Sequence, residues 1–167
     1  MRDIVLTALK AFNRDPQRAG LFMKVLSTAT VYVFTPTEVL EADQGPKPER
    51  LTMVREEVNG QLENYVPFFS DESRAGRTLE MLLNKQENNE RRVSVTALNG
   101  ADLFFYLDAR DLAAYYNPRS RSEESKFLTR EFIADLLLQA WEDDFNRKQP
   151  KEPRSGKNRH GKLAAAG

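Results

Sequence analysis

The segment Tyr65-Val66-Pro67-Phe68-Phe69-Ser70-Asp71-Glu72-Ser73 constrains the fold more than any other stretch of the chain. Tyr65, Val66, Phe68 and Phe69 are the β-branched and aromatic types that suit a packed sheet. Ser70 offers a hydroxyl for an N-cap, and Asp71 and Glu72 put negative charge at the positive end of a helix dipole. Leu79, Leu82 and Leu83 continue as an apolar face. A buried strand is therefore expected to turn at once into an amphipathic helix. A nucleophile elbow has the same outline, but Ser70 lacks the flanking glycines. Its hydroxyl is expected to cap the helix.

Upstream, Ile4, Val5, Ala8, Leu9 and Phe12 recur at helical spacing and predict a helix from Asp3 to about Asn13. Asp15-Pro16 restarts the chain, Asp15 as cap and Pro16 where a missing amide costs nothing. Leu21, Phe22, Val25 and Leu26 form the apolar face of this second helix, expected to end near Ser27. Thr30 to Phe34 reads as a strand, Thr37 to Arg50 as a polar loop, and Leu51 to Val58 as a strand turning at Asn59-Gly60. After the central helix, 92–98 alternates as a strand, and Asn99 caps a short helix that includes Leu103 to Leu107. Leu112 to Tyr116 is a strand stopped by Asn117-Pro118. Phe132, Ile133, Leu136, Leu137, Ala140 and Trp141 mark a last helix from Thr129 to about Phe145. About five strands with interspersed helices predict a single α+β domain, residues 1–145, with a mixed sheet.

Charge divides the chain in two. From Asn146 to Gly167 seven Lys/Arg stand against Glu152 alone, which leaves the remainder at a net −6 although the whole is neutral. The basic segment 146–167 has no apolar periodicity and is expected to be a disordered tail. Its closing Lys162 to Ala166 resembles vector-derived sequence. Without aromatic residues among its cations, the tail is not expected to bind nucleic acid by base stacking. There is no signal-peptide pattern and no apolar run of about 18 residues, so a soluble, cytoplasmic protein without membrane contact is expected.

The absence of cysteine removes disulfides, thiolate metal ligands and a cysteine nucleophile. The single histidine, His160, lies in the tail, so a serine–histidine pair or a histidine-based zinc site has no anchor in the body. Neither a Walker loop nor a dinucleotide fingerprint occurs, and no metal or cofactor is expected. Carboxylates at Glu56-Glu57, Asp108 with Asp111, and Glu142 to Asp144 read as acidic surface. Asp102 and Asp108 flank the aromatic Phe104-Phe105-Tyr106 and are the ones to inspect for acid–base work. Asn117-Pro118-Arg119-Ser120-Arg121-Ser122 follows a strand end, where open α/β sheets often present ligands. Its arginines and serines suit an anion or an acidic partner.

Three motifs, in order, carry a resemblance: Val66-Pro67-Phe68-Phe69-Ser70-Asp71, Gly100-Ala101-Asp102-Leu103-Phe104, and Asn117-Pro118-Arg119-Ser120. Together with the helical start at Arg18, Phe22 and Leu26, they resemble the N-terminal domain of the SseB family, bacterial "enhanced serine sensitivity" proteins. The likeness covers about Asp15 to Leu138. Arg119 stands where the family carries glycine. The resemblance implies a cytoplasmic α+β domain with no established catalytic residues. The expected role is a non-catalytic interaction or regulatory module that meets another protein through Asn117, Arg119, Ser120, Arg121 and Ser70. A small-molecule-binding protein or enzyme with its site at the strand C-termini is the alternative, followed by nucleic-acid binding through the tail.

Overall fold

Alternation along the strands sends two apolar sets to opposite faces of one mixed sheet. The computed structural model describes residues 3–37, 51–85 and 93–148. Helix α1 (Ile4–Arg14), a 3₁₀ turn (Pro16–Arg18) and helix α2 (Ala19–Thr28) precede strand β1 (Thr30–Pro36). Strands β2 (Val54–Val58) and β3 (Gln61–Phe69) form a hairpin that feeds helix α3 (Glu72–Lys85). Then come strand β4 (Val93–Asn99), helix α4 (Gly100–Ala109), strands β5 (Ala113–Tyr116) and β6 (Lys126–Leu128), and helix α5 (Arg130–Lys148). The expected α+β class holds. The sheet gains a sixth strand, β6, whose three residues are too few to show periodicity.

The strand order is β4-β1-β3-β5-β6, with β2 also on β3. β3 pairs antiparallel with β2 through Tyr65 and with β1 from Phe68 onward, and runs parallel to β5 on its other side. Pro67 sits at the change of partner, opposite neither β2 nor β1. A central strand tolerates proline there because the missing amide interrupts no antiparallel ladder. The hairpin turn is Asn59-Gly60, with φ of 51° and 84°, the paired positive values that a two-residue turn requires.

One face of the sheet offers Val31, Val33, Val66, Phe68, Ala114, Tyr116 and Leu128. Against it pack Leu9 and Phe12 of α1, Phe22 and Leu26 of α2, Leu103 and Leu107 of α4, and Ile133 and Leu136 of α5. On the other face α3 covers Phe34 and Phe69 with Ala75, Leu79 and Leu82. Beside it Tyr65, Tyr115 and Phe127 meet edge-on, at centroid separations of 5.3 to 6.2 Å. Each such contact adds about 1 kcal/mol beyond buried area.

Capping follows the sequence with one correction. Asp15 accepts from the Gln17 amide, Asn99 from the Ala101 amide, and Thr129 from the Phe132 amide. Ser70, the expected cap of α3, does not cap it. Asp71 Oδ1 accepts from the Arg74 amide at 2.8 Å, and the helix begins one residue later than expected. The Ser70 hydroxyl is engaged elsewhere, as described below. The polar segment at 38–50, Leu83, Ala140 and Trp141 as core side chains, and the tail from 149 on lie outside the described residues.

Candidate functional site at the strand ends

β3 and β5 are the parallel pair, so their C-terminal ends open on the same side of the sheet. There Ser70 and Asp71 leave β3, and Asn117 to Ser120 leave β5. Asn117 is 1% exposed, with φ 48°, a left-handed backbone that asparagine accepts more readily than most residues. Its amide donates to the Phe68 carbonyl at 2.8 Å. Its Oδ1 accepts from the Ser70 amide at 2.9 Å, while Nδ2 donates to Ser70 Oγ and to the Glu124 carbonyl. One side chain thereby ties the two strand ends to the segment preceding β6.

Arg74 supplies the second tie. Its Nε meets Asp71 Oδ2, Nη1 donates to Ser120 Oγ, and Nη2 donates to Glu124 Oε2, each at 3.0 Å. The planar guanidinium suits this because its donors diverge in fixed directions. With two carboxylates and a hydroxyl around it, Arg74 has all three of its nitrogens engaged. The Ser70 hydroxyl donates to Asp71 Oδ2 at 3.2 Å and accepts from Asn117, and the carboxylate it meets is already paired with Arg74. His160 lies outside the described residues. Among the described residues no group of His, Asp and Glu is arranged to hold a metal ion.

A second cluster lies on the face bearing the edge-on aromatics. The Tyr65 phenol donates to Glu56 Oε1, and Arg119 Nη2 donates to Glu56 Oε2 at 2.8 Å. Arg119 takes φ 65°, the left-handed conformation for which glycine is the default. The arginine accepts that backbone and gains an ion pair with 23% and 28% exposed side chains.

The five expected contact residues are thus divided. Ser70, Asn117 and Ser120 belong to the interlocked node, Arg119 is half engaged with Glu56, and Arg121 is exposed, its carbonyl accepting the Glu124 amide and its side chain making no ion pair or hydrogen bond among the described residues. Asp102 and Asp108 lie exposed on α4 and join neither cluster. Asp71, Arg74 and Glu124 complete the node; Asp71 reads in the sequence only as a charge at the helix start, and Arg74 and Glu124 carry no sequence signal beyond the ion-pair spacing of Arg74 to Asp71.

Both buried tyrosines resist ionisation. Burial pushes the Tyr65 phenol well above the ordinary 10.0, and the Glu56 carboxylate adds to this while Arg119 opposes it. Burial likewise raises Tyr116, with Ser70 and Asn117 opposing. The folded state therefore holds these protons to higher pH than the unfolded chain does. Their contribution is complete below the unfolded value near 10.0 and is lost as pH rises above it. The urea midpoint should fall through the alkaline range, and a Tyr65→Phe variant should show a shallower fall.

Fold and node together define an α+β domain whose polar strand ends are closed upon themselves. The family model of the SseB protein N-terminal domain matches residues 4–135, and the chain belongs to the SseB family. No curated protein and no solved structure matches it.

Proposed function

We propose that this domain is a non-catalytic interaction or regulatory module of the bacterial cytoplasm. One observation carries the reading. The node spends its polar groups on one another and ties the chain down on both sides of Arg121, at Asn117, Ser120 and Glu124, while the Arg121 side chain has no partner among the described residues. A rigid loop that presents a free cation gives up little entropy on binding an acidic surface. Glu72 and Ser73, exposed at the start of α3, form the neighbouring part of the contact surface. Arg119 contributes through the part of its guanidinium that Glu56 does not occupy.

Affinity capture from a bacterial lysate, with partners identified by mass spectrometry, tests this. Arg121→Glu should lower recovery of the partner at least about tenfold, the cost of one charge-assisted contact turned repulsive. Far-UV circular dichroism should stay unchanged. Equal recovery by the wild type and the variant would count against this surface.

A further inference from the structure

Among the described residues, three strand edges carry no partner: the outer sides of β2, β4 and β6. Natural sheets blunt such edges with charge, proline or brevity. β2 carries Arg55, Glu56 and Glu57, and β6 is three residues long with Lys126 at its start. β4 has none of these devices. Val93-Ser94-Val95-Thr96-Ala97-Leu98-Asn99 is uncharged, free of proline, and paired with β1 in unbroken register from end to end.

The phase of its outer ladder follows from one bond. Gly100 donates its amide to the Ala29 carbonyl at 2.9 Å, one step beyond the Thr30↔Asn99 pair. Hydrogen-bonded pairs alternate in an antiparallel ladder, so Val93, Val95, Ala97 and Asn99 turn their amides and carbonyls away from β1. We propose that this edge pairs with itself: a second copy of the chain adds its β4 antiparallel to the first and continues the sheet across a twofold axis.

A twofold at Thr96 sets Val95 opposite Ala97 of the second copy and Val93 opposite Asn99, all residues with outward-facing groups. Directly opposed residues share a face, so Val93 and Val95 of both copies remain on the side of the Phe34–Phe69 cluster. Both valines are only half-buried and gain cover from the neighbouring sheet. No like charges meet across the junction, which favours an isologous contact. The charged edge of β2 would set its own carboxylates together in the same arrangement. This pairing is independent of the Arg121 surface.

Sedimentation equilibrium on the full chain, across a dilution series, reads the outcome. The wild type should be a dimer that dissociates on dilution. Ala97→Pro removes one outward donor at an exposed position and leaves the β1 ladder intact, so it should sediment as a monomer with unchanged circular dichroism. Ala97→Lys, which charges the junction without touching the backbone, should do the same. Hydrogen exchange supplies a local readout: the Val95 and Ala97 amides should gain protection with concentration, while Leu98 stays protected throughout. A wild type that is monomeric at every concentration would overturn the proposal. So would a dimer that survives both variants with the Val95 and Ala97 amides unprotected.

Discussion

Replacing Gly100 with alanine should lower stability by about 3 kcal/mol and the unfolding midpoint by about 10 °C. The reason is contact, not backbone freedom. A Cβ at Gly100 would lie 2.0 Å from the Leu26 carbonyl oxygen and 2.9 Å from its carbon, both backbone atoms in the last turn of α2. That turn cannot retreat cheaply, because Leu26 also accepts the Ala29 amide and Ala29 accepts the Gly100 amide. In an open helix the same change would stabilise by about 0.5 to 1 kcal/mol. Gly76 of α3 provides that control, with nothing within 4 Å of its notional Cβ. Thermal unfolding of the two alanine variants should shift in opposite directions. Equal shifts would mean that α4 does not press against α2 as described. The glycine of the Gly100-to-Phe104 motif is thus required by the close approach of two helices.

Asn117→Ala should cost about 4 kcal/mol, measured as a fall in the urea midpoint. The variant leaves the Ser70 amide and the Glu124 carbonyl without their partner, at about 1 to 3 kcal/mol for each buried group left unmade. It also forces alanine to φ 48°, a further 1 kcal/mol or so. Asn117→Gly divides the two effects: it relieves the backbone but not the hydrogen bonds, so it should recover about 1 kcal/mol. Recovery of the full loss by glycine would show that the node contributes nothing beyond permitting the turn.

The fold was largely legible in the sequence because its signals are local. Unbroken β-branched and aromatic composition placed the strand from Thr30 to Phe34, period-2 alternation placed Val93 and Val95, Asn99 announced its helix, and Asn59-Gly60 its hairpin. The mixed sheet followed from helices between β3, β4 and β5, since a parallel pair needs a long crossover. Beyond local reach, legibility failed. Ser70 and Asp71 are both good caps, and the choice between them rests on Asn117, forty-seven residues away, which claims the Ser70 hydroxyl. Glu56 reads as one of many surface carboxylates until hairpin register sets it beside Tyr65 and the loop brings Arg119. Arg119 in place of glycine hides a left-handed turn that glycine would have announced. The two loop arginines looked equivalent, and only the geometry separates the engaged Arg119 from the exposed Arg121.

The account turns on the node being a lock that fixes the Asn117–Ser122 loop. Native-state hydrogen exchange at the Ser70, Asn117 and Ser120 amides tests this most directly. All three donate within the node, to Asn117 Oδ1, the Phe68 carbonyl and the Asn117 carbonyl. The lock predicts that Ser70 and Asn117 exchange only through global unfolding, with a denaturant dependence matching that of core amides such as Phe68. Exchange of these amides through a low-energy, denaturant-independent opening would contradict it, because the loop would then open while the sheet stays folded.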